Sequence, residues 1–189
     1  KIERICHRAD GRTSAFDCVM PEAWELAGRS FLEITSSSIP EYERMLADTN
    51  HHPIAATIWS APTPADGVDC ELVDYDSLDS EHPDVKGKWV FYAHGHGSSF
   101  DGKVYQKLAN AGAVGMAVTD FKIVNVAPDD LFWFNGHGVY GWYHVKEDPR
   151  IPVFSIAPRR ALKLKEQLAA GKITVHAEMN TRIYDGEIY

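Results

Sequence analysis

The chain has 189 residues, of which 27 are acidic and 19 basic, and its formal charge is −8. This excess of negative charge repels phosphate backbones and anionic membranes on average, so we expect neither nucleic acid nor a membrane as a partner. No apolar run approaches the roughly 20 residues needed to cross a bilayer. With 44% hydrophobic residues, the chain can bury the core of an ordinary domain.

The first third of the chain, residues 1–66, is interpreted as an N-terminal extension made of short strands and a helix that packs on the main core. Two segments rich in β-branched and aromatic residues, 29–35 and 54–60, are predicted strands. Residues 38–50 between them carry apolar residues at helical spacing and predict a short helix. The prolines and glycine of residues 60–67 end regular structure, and we place a domain boundary there.

A strand, a helix and a second strand are predicted next. Residues 88–93 form a mostly apolar run, which is typical of a strand covered on both faces. Val104, Leu108 and Ala111 recur at the spacing of one helix face, and the apolar residues 113–119 follow within two residues. Such a compact crossover predicts parallel pairing with a right-handed connection.

The end of the chain repeats this order. Residues 151–157 predict a strand, and Pro158 suits the first turn of a helix whose buried stripe is Ala161, Leu164 and Leu168. Residues 172–180 alternate and predict a half-exposed strand, with Ile173, Val175, Ala177 and Met179 facing inward. We expect one core that buries Val90, Val104, Leu108, Ala111, Val118, Val153 and Ile156.

The order of these segments resembles a protease-associated (PA) domain, the swivelling β/β/α module inserted in zinc-dependent aminopeptidases. The resemblance rests on a valine-containing strand after Gly-Lys, a helix that runs into AGAVG, and IPVFSIAP before a second helix. It covers residues 67–184 and implies a mixed α/β (or α+β) fold that is rich in strands, with a few short flanking helices. Residues 185–189 are similar to the linker that returns to a catalytic domain.

For function, the resemblance implies a non-catalytic module that shapes substrate access or mediates protein interaction. Its expected partner is the catalytic peptidase domain of the same polypeptide, with a peptide substrate as a further candidate. Zinc is expected in that catalytic domain and no cofactor in this chain. Neither H-E-x-x-H nor G-x-S-x-G occurs in the sequence, so no catalytic residue is assigned.

Two histidine- and aromatic-rich segments carry the candidate binding residues. His94 and His96 form an H-x-H pair that His137 could complete as a zinc site, although no carboxylate partner is evident and exposed loop histidines are the simpler interpretation. Asn135-Gly136 between aromatic runs predicts a hairpin. The candidate binding residues are His94, His96, Trp133, His137 and Trp142. They support a second hypothesis, a freestanding ligand- or metal-binding module.

Two weaker alternatives concern the segment before the first helix. His96 precedes a helix, as the phosphorylated histidine of phosphotransfer swivelling domains does, but the surrounding pattern differs. Ser99 is better explained as a helix cap than as an acyl-transfer nucleophile.

The cysteines bear on the compartment. Cys6, Cys18 and Cys70 are odd in number and lack a C-x-x-C arrangement, so we expect buried or half-buried unpaired thiols. Unpaired thiols slightly favour a cytoplasmic location. The chain starts at Lys1, which leaves the native N-terminus and the compartment open.

Overall fold

A computed structural model of the chain describes residues 5–15, 17–79, 81, 83–94, 102–131 and 144–188. The helices are α1 (Gly102–Asn110) and α2 (Pro158–Ala170). The strands are β1 (His7–Ala9), β2 (Ser14–Ala15), β3 (Cys18–Val19), β4 (Ala23–Leu26), β5 (Phe31–Ile34), β6 (Met45–Asp48), β7 (Val68–Asp74), β8 (Trp89–His94), β9 (Gly115–Asp120), β10 (Val153–Ser155), β11 (Ile173–Glu178), β12 (Thr181–Tyr184) and β13 (Gly186–Ile188).

The centre of the fold is a seven-stranded mixed sheet in the order β10-β9-β8-β7-β11-β5-β6. Strands β7 to β10 pair in parallel, whereas β11, β5 and β6 pair antiparallel. A 3-10 helix (Pro53–Ala55) lies between the two outer strands, and Ala56 pairs with Phe154 of β10. The sheet is therefore nearly closed. The β-rich character expected from the sequence is confirmed.

The predicted crossover around α1 is present, and the second strand–helix–strand order is present too, although its last strand pairs antiparallel. Helix α1 connects the parallel strands β8 and β9, and α2 follows β10 and leads to β11. All six residues of β9 are buried, as expected for a strand covered on both faces. Pro158 occupies the first turn of α2, where its missing N–H costs no helical hydrogen bond.

The expected single core is divided into two clusters. Val90, Leu108, Val118 and Val153 are completely buried in the cluster under α1, whereas Ile156 is buried in the cluster that α2 joins. The reason is the period of two in a strand, since Val153 and Ile156 differ by three positions and point to opposite faces. Val104 and Ala111 are only partly buried, at the edge of the α1 cluster.

Two predicted elements of the N-terminal segment are wrong. Residues 38–50 form only a 3-10 turn (Glu41–Glu43) followed by β6, because pairing with β5 buries Leu46 and Ala47 and outweighs the helical spacing. Residues 54–60 are not a strand, because Pro53 opens a 3-10 helix there. Strands β5 and β6 belong to the common sheet, and the assignment of residues 1–66 to an extension stays a prediction.

Two-stranded ribbons lie outside the main sheet. Strand β4 pairs with β12, β1 with β13, and β2 with β3, all antiparallel. The first two ribbons join the beginning of the chain to its end. No helix in the described ranges is both long and apolar enough to cross a membrane.

Candidate functional site

The segments that carry the predicted site leave the sheet at the carboxyl ends of its parallel strands. His94 ends β8 opposite Asp120, the last residue of β9. Asp120 is buried, and its carboxylate accepts the backbone N–H of Lys122 at 2.8 Å, so the side chain caps the turn after β9. Ligands of open α/β sheets bind at such strand ends.

The predicted binding residues themselves are not placed. His96, Trp133, His137 and Trp142 lie outside the described residues, as does the side chain of His94. The expected hairpin around Asn135-Gly136 and the proposed cap Ser99 also lie there. Their roles stay predictions.

A small groove lies at the carboxyl end of β10, and its lining includes Leu131, which immediately precedes residues 132–143. The groove has a volume of about 170 Å³. Its apolar lining residues are Met45, Leu46, Ala47, Ala55, Leu131 and Ala157. Its polar lining residues are Asp48, His51, His52 and Asp129.

The acidic residues of this groove already have cationic partners. Asp48 accepts hydrogen bonds from the Arg29 guanidinium, with an Nη2–Oδ2 distance of 2.8 Å, and from the Asn50 backbone N–H. The Arg29 hydrogen bond lowers the pKa of Asp48 against the opposing effect of burial. Asp129 forms two hydrogen bonds with Arg159, at 2.8 and 2.9 Å. Both carboxylates of the groove are thus held in ion pairs, and His51 and His52 are its other polar lining residues.

A second group of polar residues lies in the segment that follows residues 132–143. His144 is buried, with Nδ1 3.7 Å from Oδ2 of Asp148 and its ring in edge contact with Tyr105. Burial and the nearby Arg150 charge lower the pKa of His144 to about 3. Its imidazole is therefore neutral at pH 7.

Glu22 links this segment to the beginning of the chain. Its buried carboxylate accepts hydrogen bonds from Lys146 and Arg150, and Lys146 also contacts Asp185 at 2.9 Å. Trp59 donates its indole N–H to the Glu22 carbonyl at 3.1 Å. We call Glu22, His144, Lys146, Asp148, Arg150 and Asp185 the charged base.

His176 forms the third polar group, on the outer face of β11. Its Nδ1 lies 3.1 Å from Asp69 and its Nε2 3.5 Å from Glu178, while its ring centroid is 5.8 Å from that of Phe31. Burial lowers the pKa of His176, but the two carboxylate hydrogen bonds outweigh it and the pKa is raised. Across the described ranges, no group of three or more His, Cys, Asp or Glu residues could hold a metal ion.

The cysteines are unpaired thiols. Cys18 and Cys70 are half-buried, as expected, but Cys6 is exposed because it precedes β1 at the edge of the fold. Burial raises the pKa of Cys70 to about 11, so this thiol is protonated and unreactive at neutral pH.

Comparison with known proteins gives structural likeness without sequence likeness. No family model matches the sequence, and no curated protein matches it. The fold is similar to a peptidase M28 precursor from Shewanella amazonensis, with a TM-score of 0.62 and 20% identity over 88% of this chain and 37% of that chain.

Two further solved structures share the fold. An aminopeptidase from Aneurinibacillus sp. strain AM-1 has a TM-score of 0.59 and 18% identity over 88% of this chain and 34% of its own. BSAP, a zinc aminopeptidase from Bacillus subtilis, has a TM-score of 0.50 and 15% identity over 95% and 33%. The chain therefore spans about one third of the length of these peptidases, and the likeness is one of fold.

Sequence reasoning missed the groove and the charged base. Three of the four polar lining residues of the groove, Asp48, His51 and His52, lie in one short run, but sequence reasoning places Asp48 at the end of a helix and assigns no role to the two histidines. Glu22 and Arg150 are 128 positions apart, and no local pattern relates them. The outward orientation of His176 could be predicted from strand alternation, since it occupies one of the outward positions of residues 172–180.

Proposed function

We propose that this chain is a PA-type, non-catalytic module of a larger zinc aminopeptidase, where it shapes the access of peptides to the active site. The observation that carries the proposal is the fold likeness, which covers 88% of this chain but only 37% of the peptidase M28 precursor. A fold of this kind is thus one part of a longer peptidase polypeptide. The zinc-dependent hydrolysis is assigned to the other part.

The pairing of β1 with β13 supports an inserted module. His7 lies opposite Ile188 and Ala9 opposite Gly186. Opposed residues of an antiparallel pair have Cα atoms about 4.5 to 5.5 Å apart. Both connections to a host domain would therefore leave from one place, a geometry in which domain insertion is tolerated.

The groove supports a role in peptide access. Its volume of about 170 Å³ is below the roughly 300 Å³ at which small-molecule sites begin, so it fits one side chain rather than a cofactor. Its lining comes from β6, the Pro53–Ala55 helix and the loop at Asp129 and Leu131, which a rigid sheet supports. Loops held by a rigid scaffold are where binding residues concentrate.

The test compares three proteins: the natural polypeptide that carries this chain, the same polypeptide with residues 7–188 replaced by a two-residue linker, and the chain alone. With zinc, the first two should hydrolyse amino-acid anilides at similar rates, and the chain alone should not. Only the first should show a preference for peptide length.

The outcomes separate the parts of the proposal. Absence of zinc-dependent hydrolysis in the natural polypeptide would refute the peptidase assignment. Equal peptide-length profiles with and without the module would refute the access role. A matched variant, Ala157→Trp, fills the groove and should change the length preference without changing anilide hydrolysis; Val126→Trp, at an 81% exposed loop position, is its control.

A further inference from the structure

We propose that the terminal ribbon, defined as residues 5–9 and 184–188, is an interaction surface whose apolar face docks on the folded peptidase domain of the same polypeptide. The surface follows from the geometry of the ribbon itself. The identity of its partner rests on the proposed function.

One face of the terminal ribbon is mostly apolar, with His7 as its polar member, and becomes progressively exposed along β1. Side chains alternate along each strand, so Ile5, His7 and Ala9 share a face with Ile188, the partner of His7. On this face Ala9 is 1% exposed, Ile188 is 44% exposed and Ile5 is 65% exposed. The face is therefore buried by this domain at Ala9 but exposed to solvent at Ile188 and Ile5.

Tyr184 extends the same face. A Cβ placed on Gly186 would lie 3.5 Å from the Tyr184 ring, an ordinary contact distance, so the ring lies directly beside Gly186. The same Cβ would come within 2.8 Å of the Ala23 side chain, so the ribbon is closely packed at this point. The Arg182 guanidinium, two residues earlier on the same strand β12, lies 4.9 Å from the ring centroid. The ring is 38% exposed, so part of it remains available for contact.

The opposite face is polar. Arg8 lies opposite Glu187 across the ribbon, and Cys6, which interacts with Glu187, shares their side. The ribbon thus has one face for water and one apolar face. An isolated two-stranded ribbon is marginally stable in water, and packing against a further layer stabilises it.

The charge distribution favours a folded domain as the partner. Ion pairs lie beside the apolar face at Lys146–Asp185 and Arg182–Glu25, since Asp185 belongs to the ribbon and the Arg182 guanidinium contacts the Tyr184 ring. An apolar centre with a charged rim is the composition of a protein–protein interface. In the solved peptidases of similar fold, about two thirds of the polypeptide lies outside the shared region, which is enough for such a domain.

Hydrogen exchange measured by mass spectrometry tests this surface. In the natural polypeptide, amides of residues 5–9 and 184–188 should exchange at least tenfold more slowly than in the isolated chain, while those of α2 should be unchanged. Ile188→Asp, and independently Ile5→Asp, should remove the slowing. Leu162→Asp on α2 is the control, since Leu162 is also 44% exposed.

The proposal is overturned if ribbon amides exchange equally in both proteins, or if the slowing survives both aspartate variants. It is also overturned if the isolated chain is dimeric by light scattering and Ile188→Asp makes it monomeric, since the occupant is then a second copy. If the ribbon amides of the natural polypeptide exchange slowly but the polypeptide shows no zinc-dependent hydrolysis, the docking surface is supported and the peptidase assignment is refuted. Failure of the docking proposal can therefore be distinguished from failure of the proposed function.

Discussion

The apolar core of the sheet and the charged base are both buried, but different forces hold them. In the core, side chains such as Trp89, Phe154 and Leu108 are completely buried and pack against other apolar groups. In the charged base, the buried Glu22 carboxylate binds two cations that come from another part of the chain. The stability of the core therefore depends on the volume and shape of its side chains, whereas the stability of the charged base depends on the protonation state of its residues.

This difference separates stability from specificity. Apolar burial supplies most of the folding free energy and tolerates many sequences of suitable pattern. A buried ion pair adds little net stability because desolvation opposes the attraction, but it costs much when one partner is removed. The Glu22–Arg150 pair thus fixes where residues 144–150 lie against the beginning of the chain.

The largest expected effect is the loss of stability when a side chain of the apolar core is shortened. Leu108→Ala removes a completely buried side chain under α1 and leaves a cavity, so the free energy of unfolding should fall by about 2 to 5 kcal/mol. Denaturant titration measures the loss. Leu162→Ala, at an exposed position of α2, should change it by less than about 0.5 kcal/mol. A loss that small for Leu108 would show that α1 contributes little to the core.

The second prediction concerns the charged base and how the free energy of unfolding depends on pH through His144. The pKa of His144 is about 3 in the folded protein, whereas the pKa of an ordinary histidine is about 6.5, so the unfolded chain binds more protons between these values. Stability should therefore fall as the pH is lowered from about 6.5 towards 3. Relative to His144→Gln, the wild-type protein should lose on the order of 4 kcal/mol over this window.

Thermal unfolding at several pH values, with both proteins in the same buffers, makes this comparison. Asp10, whose pKa is lowered to about 2 chiefly by the Thr13 and Arg12 backbone N–H groups, titrates in both proteins and cancels in the difference. Parallel stability curves for the two proteins would contradict a neutral, buried His144.

The third effect tests the ion pairs. Glu22→Gln keeps the shape of the side chain but removes the charge that Lys146 and Arg150 contact. Loss of a charge-assisted hydrogen bond in a buried site should lower the free energy of unfolding by about 1.5 to 3 kcal/mol. Because the pair is buried, 0.5 M salt should change this difference little. Glu147→Gln is the control, since the Arg12–Glu147 pair is exposed and should contribute less than about 1 kcal/mol.

The same contrast explains what the sequence could predict. The parallel crossover around α1, the helix that begins at Pro158 and the alternation of β11 were all predicted, because their apolar residues repeat at a local period. Residues 38–50 were mistaken for a helix, because the apolar spacing there is compatible with a helix and the pairing of β6 with β5 is not visible locally. The expectation of one core for Val153 and Ile156 was avoidable, because residues three positions apart on extended backbone point to opposite faces.

The polar groups were less predictable. The contacts of Glu22 join residues more than 120 positions apart, so they depend on the finished fold. The groove is lined by residues of β6 and by residues that follow β10. These are the two outer strands of the sheet, so the groove exists only because the sheet nearly closes. The ribbon face was equally hidden, since the pairing of His7 with Ile188 brings together residues from the two ends of the chain.

The smallest effect concerns His176, a half-exposed residue that belongs to neither the core nor the base. Its pKa should exceed the ordinary value of about 6.5, because hydrogen bonds to Asp69 and Glu178 outweigh the effect of burial. A raised folded-state pKa stabilises the protein fully below pH 6.5, and this contribution is lost as the pH rises through the folded value. Since Asp69 is largely exposed, the contribution should stay below about 1 kcal/mol.

NMR titration of the His176 ring should show the raised pKa, and Asp69→Asn should lower it, whereas Glu166→Gln on α2 should leave it unchanged. A ring that titrates at or below 6.5 would show that solvent, rather than the two carboxylates, determines its protonation.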